Sequence, residues 1–306
     1  MPKVSLIIPS YNSFRTIPRT LGSVFGLKSF DKIHEIIVAD CSDDARTKLI
    51  LEEYSFLKLS VLNLPKSTPA FSRNAAARAA TGDILCFIDS DVFLDETWLE
   101  EVLAASAAGC RAGAGSVSIP PFQQDNLVAL AQLYLQFNET LALGQRRPID
   151  LVPACNMFVD RELFEKLGGF PLLRASEDVL FCLKCAPYAP VWFVPQARCF
   201  HIFREDRRAF FQNQMILGQY IITYRRAFYQ KWYYDRPWAA LFLPFFVGLK
   251  SAWITGRVMK CGPAHMINFI RSLPLFLAGM FFWAKGFYQE SLIEKPPVDV
   301  AVGVNI

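Results

Sequence analysis

Charge is what this chain has little of. Acidic and basic residues make up 20% of its 306 positions and nearly cancel, leaving a formal net charge of +4. That is too small an excess to argue by itself for a nucleic-acid partner, and none is expected. Histidine is scarcer still, with three copies. The eight cysteines are scattered, at Cys41, Cys86, Cys110, Cys155, Cys182, Cys185, Cys199 and Cys261, mostly inside apolar runs. Cys182 and Cys185 form a C-x-x-C, but no second pair completes a zinc site, and helical spacing explains both as a core face. Buried thiols of this kind suit a reducing compartment. No basic region, long apolar segment and cleavage site precede the run Val4–Pro9, so no secretory signal peptide is expected. No internal repeat or low-complexity tract is visible.

What the chain does have is apolar surface. Apolar residues reach 53% and aromatics 14%, including 27 phenylalanines. Those values exclude a disordered chain. The first two hundred residues alternate short apolar runs with helical patterns. Strands are expected at Val4–Pro9, Glu35–Ala39, Leu57–Leu62 and Ile84–Ile88. Helices are expected at Ile17–Phe25, Asp43–Tyr54 and Phe71–Ala80. This rhythm predicts a doubly wound, mostly parallel α/β sheet. In such sheets ligands bind beyond the carboxyl ends of the strands, which directs attention to Ser10–Asn12, Asp40 and Asp89–Asp91. Farther on, Gln123–Leu143 reads as an inserted amphipathic helix after Pro120-Pro121. Val152–Val159 and Val191–Phe200 read as strands, and Arg161–Leu167 and Val179–Cys185 as helices.

Beyond His201 the composition changes. Residues 204–236 hold seven Lys or Arg against three acids, with Tyr, Phe and Trp interleaved. Ala239–Thr255 is apolar except for Lys250, and Met266–Phe287 is interrupted by Arg271, Lys285, Asn268 and Ser272. Both runs approach the ~20 residues that span a bilayer, yet each carries an interior charge and a proline. The link between them contains Arg257 and Lys260, which the positive-inside rule keeps cytoplasmic, whereas a simple hairpin would place it outside. Helices lying in the interface, or a re-entrant pair, avoid that conflict.

The candidate chemistry begins at Asp89-Ser90-Asp91. Residues i and i+2 at a strand end share a side, so the two carboxylates point together and repel unless a cation neutralises them. Hard oxygen ligands at this spacing suit Mg²⁺ or Mn²⁺ on a diphosphate. Taken alone, a D-x-D is also a solvated turn. Arg73, opening the helix before that strand, is a natural phosphate contact or a surface arginine. Asp40 accepts a base N–H or caps the turn Ser42–Asp44. Glu177-Asp178 complements a helix dipole, or supplies in Asp178 a general base. His201 is a structural imidazole or a third metal ligand.

Taken together these residues resemble family 2 glycosyltransferases of GT-A fold over residues 3–203. The resemblance is carried by Val4–Asn12, Ile36–Asp40, Arg73-Asn74, Ala80–Leu85, Phe87–Asp91, Asn156-Met157, Gly168–Phe170, Glu177-Asp178 and His201. It implies a catalytic domain at 1–203; by composition, a basic aromatic segment at 204–236, membrane-associated helices at 237–288 and a tail at 289–306 are expected to follow. It implies that Pro9, Tyr11 and Asp40 hold the base of a UDP- or GDP-sugar, and that Arg73 meets the diphosphate. Asp91 would be the principal ligand of Mn²⁺ or Mg²⁺, with Asp89 on the ribose or metal side and His201 joining Asp91 or touching the phosphates. Asn156 would lie on the donor-sugar and acceptor floor, Glu177 would be a further substrate-binding residue, and Asp178 would be the base of an inverting transfer. The family often has two acids after the second strand, but here Cys41 follows Asp40. The Q-x-x-R-W signature of processive synthases is absent after His201, which argues for adding one sugar at a time. The expected acceptor is a lipid, a lipid-linked sugar or a glycan, at the cytoplasmic side of the cell membrane. A nucleotidyltransferase would carry a Gly-rich loop after the first strand, where Ser10-Tyr11-Asn12-Ser13 has no glycine. A non-catalytic binding protein on the same scaffold would be free to lose Asp89, Asp91 and Asp178.

Overall fold

The computed structural model describes residues 2–54, 58–141, 144–229 and 242–293. Residue 57 of the third expected strand and residues 142–143 of the expected inserted helix lie outside them. So do residues 230–236 of the basic segment, 237–241 at the start of the apolar helices and 294–306 of the tail. The chain divides into two compact units. The first comprises Met1–Ser118 and Ala142–Ile202, and the second Ile119–Leu141 and Phe203–Ile306. The segment read from sequence as an insertion in the catalytic region therefore belongs with the C-terminal helices.

The first unit is a nine-stranded mixed sheet in the order β3-β2-β1-β4-β8-β6-β9-β5, with β7 pairing on β9. Its strands are β1 (Val4–Ser10), β2 (Ile33–Asp40), β3 (Leu59–Asn63), β4 (Ile84–Ile88), β5 (Val92–Leu94), β6 (Ala112–Ser118), β7 (Arg147–Pro148), β8 (Asn156–Asp160) and β9 (Val191–His201). The first four strands form the expected parallel half, joined by α1 (Ile17–Phe25), α2 (Ala45–Glu53) and α3 (Pro69–Ala79). Beyond β4 the direction reverses, because β8 runs antiparallel to both β4 and β6. Strands β1 and β4 are apolar almost throughout because helices cover both faces, and all five residues of β4 are buried. Local signals start the helices where they are needed. The Asp44 side chain accepts the Thr47 N–H at 2.8 Å to cap α2, and Thr68 accepts from Phe71 N at 3.3 Å ahead of Pro69 in α3.

Below the sheet, Phe87, Phe164, Phe170 and Phe181 pack with ring centroids 5.0–5.4 Å apart. Phe164 comes from α6 (Arg161–Lys166) and Phe181 from α7 (Glu177–Cys185). Phe170 reaches this cluster through Gly168 and Gly169, whose φ values of 74° and 73° no bulky residue adopts easily. The Asn74 amide holds the turn, donating to Phe170 O at 2.7 Å and accepting from Phe170 N at 2.9 Å. Cys182 and Cys185 are buried in this core, as their helical spacing implied.

Strand β6 has the sequence AGAGSVS, with little β-propensity, and none was expected there. Close approach explains it: a Cβ on Gly115 would lie 1.6 Å from the Ala197 carbonyl oxygen of β9, and one on Gly113 2.5 Å from that of Trp192. The same region is flanked by α4 (Trp98–Ala107).

In the second unit, α5 (Leu127–Phe137) is covered on nearly all sides, and Val128 through Leu135 and Phe137 are buried. It is not the amphipathic helix expected there. Its residues are apolar around most of the circumference, as suits an enclosed helix. The remaining helices are α8 (Arg207–Tyr229), α9 (Leu243–Lys260) and α10 (Pro263–Ser291). Of the described helices, α10 alone is long and apolar enough to cross a membrane.

Gly115→Ala is expected to destabilise the protein by about 3 kcal/mol or to abolish soluble expression, since the blocking atom is backbone. Gly22, exposed in α1 with open space where a methyl group would stand, provides the control. Gly22→Ala should raise stability by roughly 0.5–1 kcal/mol in the same urea titration.

Candidate active site

The site is built at the carboxyl ends of the strands in the first unit. Ser10 and Asp40 sit side by side in the β1–β2 register. One Asp40 oxygen accepts from Ser10 Oγ at 2.8 Å and Ser42 Oγ at 2.6 Å. The other is buried with no hydrogen-bond partner among the described residues. Such an acceptor is costly unless a ligand N–H meets it. The expected turn role falls to Asp44, which caps α2, while Asp40 remains with a free acceptor. Asn12, at φ 51°, ties the loop after β1 to the loop after β2 by donating to Asp43 Oδ1 at 2.6 Å. Tyr11 is 43% exposed and its hydroxyl donates to Asp43 Oδ2 at 3.1 Å. Pro9 is half-buried in β1, opposite Ala39. Cys41 donates its thiol to Ser10 O at 3.2 Å, within the strand-end framework.

Asp89 and Asp91 flank a tight turn between β4 and β5, closed by Val92 N donating to Asp89 O at 3.1 Å. Thr20 of α1 pins it by donating to Ser90 O at 2.9 Å. The antiparallel β5–β9 pairing sets Val92 opposite His201, and Ile202 N donates to Asp91 O at 2.8 Å. His201 is thereby delivered to the aspartates, with Nε2 3.7 Å from Asp91 Oδ1. Asp89, Asp91 and His201 each offer a ligand atom, all within 4.8 Å of one another. Two carboxylates and an imidazole form a donor set that fits a divalent ion such as Mn²⁺.

Arg73 joins this turn to the second acidic pair. Its Nη2 donates to Asp89 Oδ1 at 2.5 Å and its Nη1 to Glu177 Oε1 at 2.7 Å, with 4% of the side chain exposed. Burial alone would disfavour its charge, but Asp89 and Glu177 outweigh burial and hold it firmly protonated. The guanidinium thus bridges two acids, while its Nε is buried without a hydrogen-bond partner among the described residues. Glu177 is likewise buried and forms the far end of that bridge. Burial, then the neighbouring charge of Asp178, pushes the Glu177 carboxyl up to about 7 against the pull of Arg73.

Asp178 is half-buried and accepts backbone N–H groups, from Val179 at 2.8 Å and Ala154 at 3.3 Å. Burial raises its carboxyl above the ordinary aspartate range, and those two N–H groups oppose the rise. The residue before the pair, Ser176, is held in the left-handed region at φ 65°. For a non-glycine residue that is an uncommon conformation, of a kind that clusters at working sites.

Asn156 has a different job from the one expected. Its Nδ2 donates to Ser116 O at 3.0 Å and Ala197 O at 2.9 Å, and its Oδ1 accepts from Trp98 Nε1 at 2.7 Å. With both donors engaged inside the protein, it ties β6, β8, β9 and α4 together. Sequence reasoning missed the Arg73–Glu177 pair, since nothing local announces a contact across 104 residues. It also quoted Asn74 without seeing its hold on Phe170.

Comparison with known proteins agrees with this geometry. The family model described as Glycosyl transferase family 2 matches residues 5–168. The chain belongs to that family. Glycosyltransferase AglE of Haloferax volcanii is 27% identical over 175 residues, 56% of this chain and 57% of AglE. Poly(ribitol-phosphate) beta-N-acetylglucosaminyltransferase TarS of Staphylococcus aureus is 35% identical over 109 residues, 34% of this chain and 19% of TarS. The match thus spans little more than half the length of the first of these relatives and a fifth of the second. Among solved structures, the mannosyltransferase PcManGT of Pyrobaculum calidifontis, in complex with GDP-Man and Mn²⁺, superposes with a TM-score of 0.64 at 20% identity. That alignment covers 96% of this chain and 88% of the other. Staphylococcus aureus TarS 1–349 with UDP-GlcNAc gives a TM-score of 0.53 at 16% identity, covering 93% and 90%. These likenesses establish the GT-A type of fold for this family member.

Removing Arg73 strands two carboxylates. Arg73→Ala should lower stability by about 3–5 kcal/mol at pH 8. The loss should shrink at lower pH, where protonation discharges Glu177. In the intact protein the raised Glu177 carboxyl favours folding below the ordinary glutamate range, and that contribution is lost as pH rises through about 7. Glu177→Gln should flatten this part of the stability profile, as read by urea titrations between pH 5 and pH 8.

Proposed function

We propose that the protein is an inverting glycosyltransferase, moving one sugar at a time from a nucleotide-sugar donor to a hydroxyl of a lipid, lipid-linked or glycan acceptor. The observation that carries this reading is the placing of Asp178. It is a half-open carboxylate held by backbone N–H groups and raised by burial, one residue from the Arg73 bridge that leads to the Asp89, Asp91 and His201 cluster. A base needs a carboxylate within reach of the acceptor proton and with a raised proton affinity, and of the two acids Asp178 is the one held by backbone N–H groups and not by Arg73.

In this reading the unpartnered Asp40 oxygen accepts an N–H of the nucleotide base, and Tyr11 and Pro9 flank that base. Asp91, Asp89 and His201 hold a divalent ion, Mn²⁺ or Mg²⁺, which when bound stabilises negative charge on the diphosphate leaving group. PcManGT, whose structure was solved with GDP-Man and Mn²⁺, and TarS, solved with UDP-GlcNAc, support a nucleotide sugar as the donor class. Arg73 keeps Asp89 and the start of α7 in register, so that Asp178 stays at a fixed distance from the ion site. Asp178 takes the acceptor hydroxyl proton as that oxygen attacks the anomeric carbon. The bond to the diphosphate oxygen breaks with its electron pair, and the configuration inverts. The lipid-type acceptor and a place on the cytoplasmic side of the cell membrane are supported by the apolar helix α10 and the basic residues around it.

Asp91→Ala should remove Mn²⁺-dependent stabilisation by UDP- and GDP-sugars in thermal-shift assays while leaving the unliganded melting temperature within a few degrees. Unchanged Mn²⁺-dependent binding in a folded variant would sink the metal assignment. Asp178→Asn should keep donor binding and lose transfer by roughly 10²–10⁴-fold, because an amide accepts no proton. Transfer by the native enzyme should rise with pH along a limb set above the ordinary aspartate value of about 4, and the product should be inverted. A retained configuration, or near-normal turnover of Asp178→Asn, would remove this mechanism.

A further inference from the structure

The second unit carries an unusual surface. On α9 and at its start, Phe242, Phe245, Phe246, Leu249 and Trp253 are 47–65% exposed, at spacings that put them on one stripe. On α10 a second stripe runs through Ile267, Ile270, Leu277 and Phe281, 53–66% exposed. Large aromatic side chains in such number exceed what a soluble monomer leaves to water. Exposed Lys260 and Lys285 accompany them, while Arg257 pairs with Glu139, Arg271 pairs with Asp125, and Lys250 turns onto the Trp283 ring. The single acid on the two helices, Glu290, is buried. Aromatic side chains beside lysine and arginine complement a surface that is apolar below and anionic above.

The opposite face of α10 decides how that surface meets a membrane. Its N-terminal half rests on α5, where the Tyr134 hydroxyl donates to His265 O at 2.9 Å and the Tyr134 ring meets Phe269 edge-on. Its C-terminal half runs alongside α8 at backbone contact. A Cβ on Gly218 would lie 1.9 Å from Trp283 O, and one on Gly286 2.0 Å from Met215 O. Phe211 stacks on Phe282, Thr223 donates to Glu290 at 3.2 Å, and Arg226 donates to Ile293 O at 3.0 Å. The pairs 211–282, 215–286, 223–290 and 226–293 advance together, so the two helices run parallel to the end of α10. Helix α8 carries Arg207, Arg208, Gln212, Asn213, Gln214, Gln219, Arg225 and Arg226. An α10 that crossed the bilayer would take this polar companion into hydrocarbon, where guanidinium and amide groups are strongly disfavoured.

We infer that α9 and α10 lie in the plane of the membrane surface, aromatic stripes down into anionic lipid, and do not cross it. This deepens the membrane attachment proposed above and is independent of the donor chemistry. Helix α10, at 29 residues, is about 43 Å long, enough to separate its ends across a hydrocarbon core of about 30 Å if it crossed. That length makes sidedness a decisive measurement.

Full-length protein carrying Cys261→Ser receives a single new thiol, Ala264→Cys or Gln289→Cys, at either end of α10. Sealed native vesicles are then treated with a membrane-impermeant maleimide. Labelling of both positions from the cytoplasmic side is expected; labelling from opposite sides overturns the in-plane arrangement while leaving attachment intact. In parallel, the purified protein is floated with phosphatidylcholine vesicles with and without about 30% phosphatidylglycerol, the anionic component that a basic surface would favour. Anionic lipid should raise bound protein at least tenfold, and Trp253→Glu with Phe281→Glu should lower it at least tenfold with donor thermal shifts retained. Equal binding to both vesicle types overturns the anionic preference. No binding to either, or a detergent-free dimer that Trp253→Glu turns into monomers, overturns attachment itself and assigns the face to a second copy.

Discussion

One buried guanidinium organises the first unit. Arg73 leaves α3 and meets Asp89 at the end of β4 and Glu177 at the start of α7, so three elements distant in sequence are fixed at one point. Removing water from three charges is expensive, and the gain comes from their mutual attraction and the fork geometry of the two N–H donors. The arrangement also divides labour between two adjacent acids. Glu177 is committed to the bridge, whereas Asp178, one residue on, accepts backbone N–H groups on its two oxygens. The residue next to Arg73 reinforces the same joint, since Asn74 grips Phe170 and with it the aromatic cluster below the sheet. A polar clamp above and an apolar one below therefore set the position of α7.

Much of this was legible from residues alone. The apolar runs at Val4–Pro9 and Ile84–Ile88 read as strands because burial on both faces leaves a nearly unbroken apolar pattern, and α1 was bounded at Ile17 and Phe25 by clean helical periodicity. The acids at strand ends were visible because alternation and chain order suffice to place them. His201 joined Asp89 and Asp91 because the sequence order ending in that histidine matched a known family.

What stayed hidden has physical reasons. Strand β6 is built of alanine and glycine because neighbouring backbones press on it, so its signal is the lack of side chains rather than their pattern. The reversal at β8 depends on long-range pairing with β4 that no local propensity encodes. Arg73 and Asn156 were assigned to ligands because an isolated polar residue near a site invites that reading. Their partners within the protein, Glu177 for one and Trp98, Ser116 and Ala197 for the other, lie 104 and between 40 and 58 residues away. The enclosure of α5 could not be foreseen without knowing that helices far later in the chain, from Arg207 onward, would cover it.

That last helix has a consequence for how such a protein can be taken apart. Because Ile119–Leu141 belongs to the helical unit, the chain passes between units three times, after Ser118, after Leu141 and after Ile202. The helical unit is thus not a tail that one stop codon removes. A chain ended at Phe203 would keep α5 but lose what encloses it, exposing a row of apolar side chains and depriving the Gln132 amide of its acceptor at Arg204 O. Recombination that exchanged the C-terminal helices for another set would have to replace residues 119–141 in the same event. Two bodies, interleaved along one chain, are inherited as a pair.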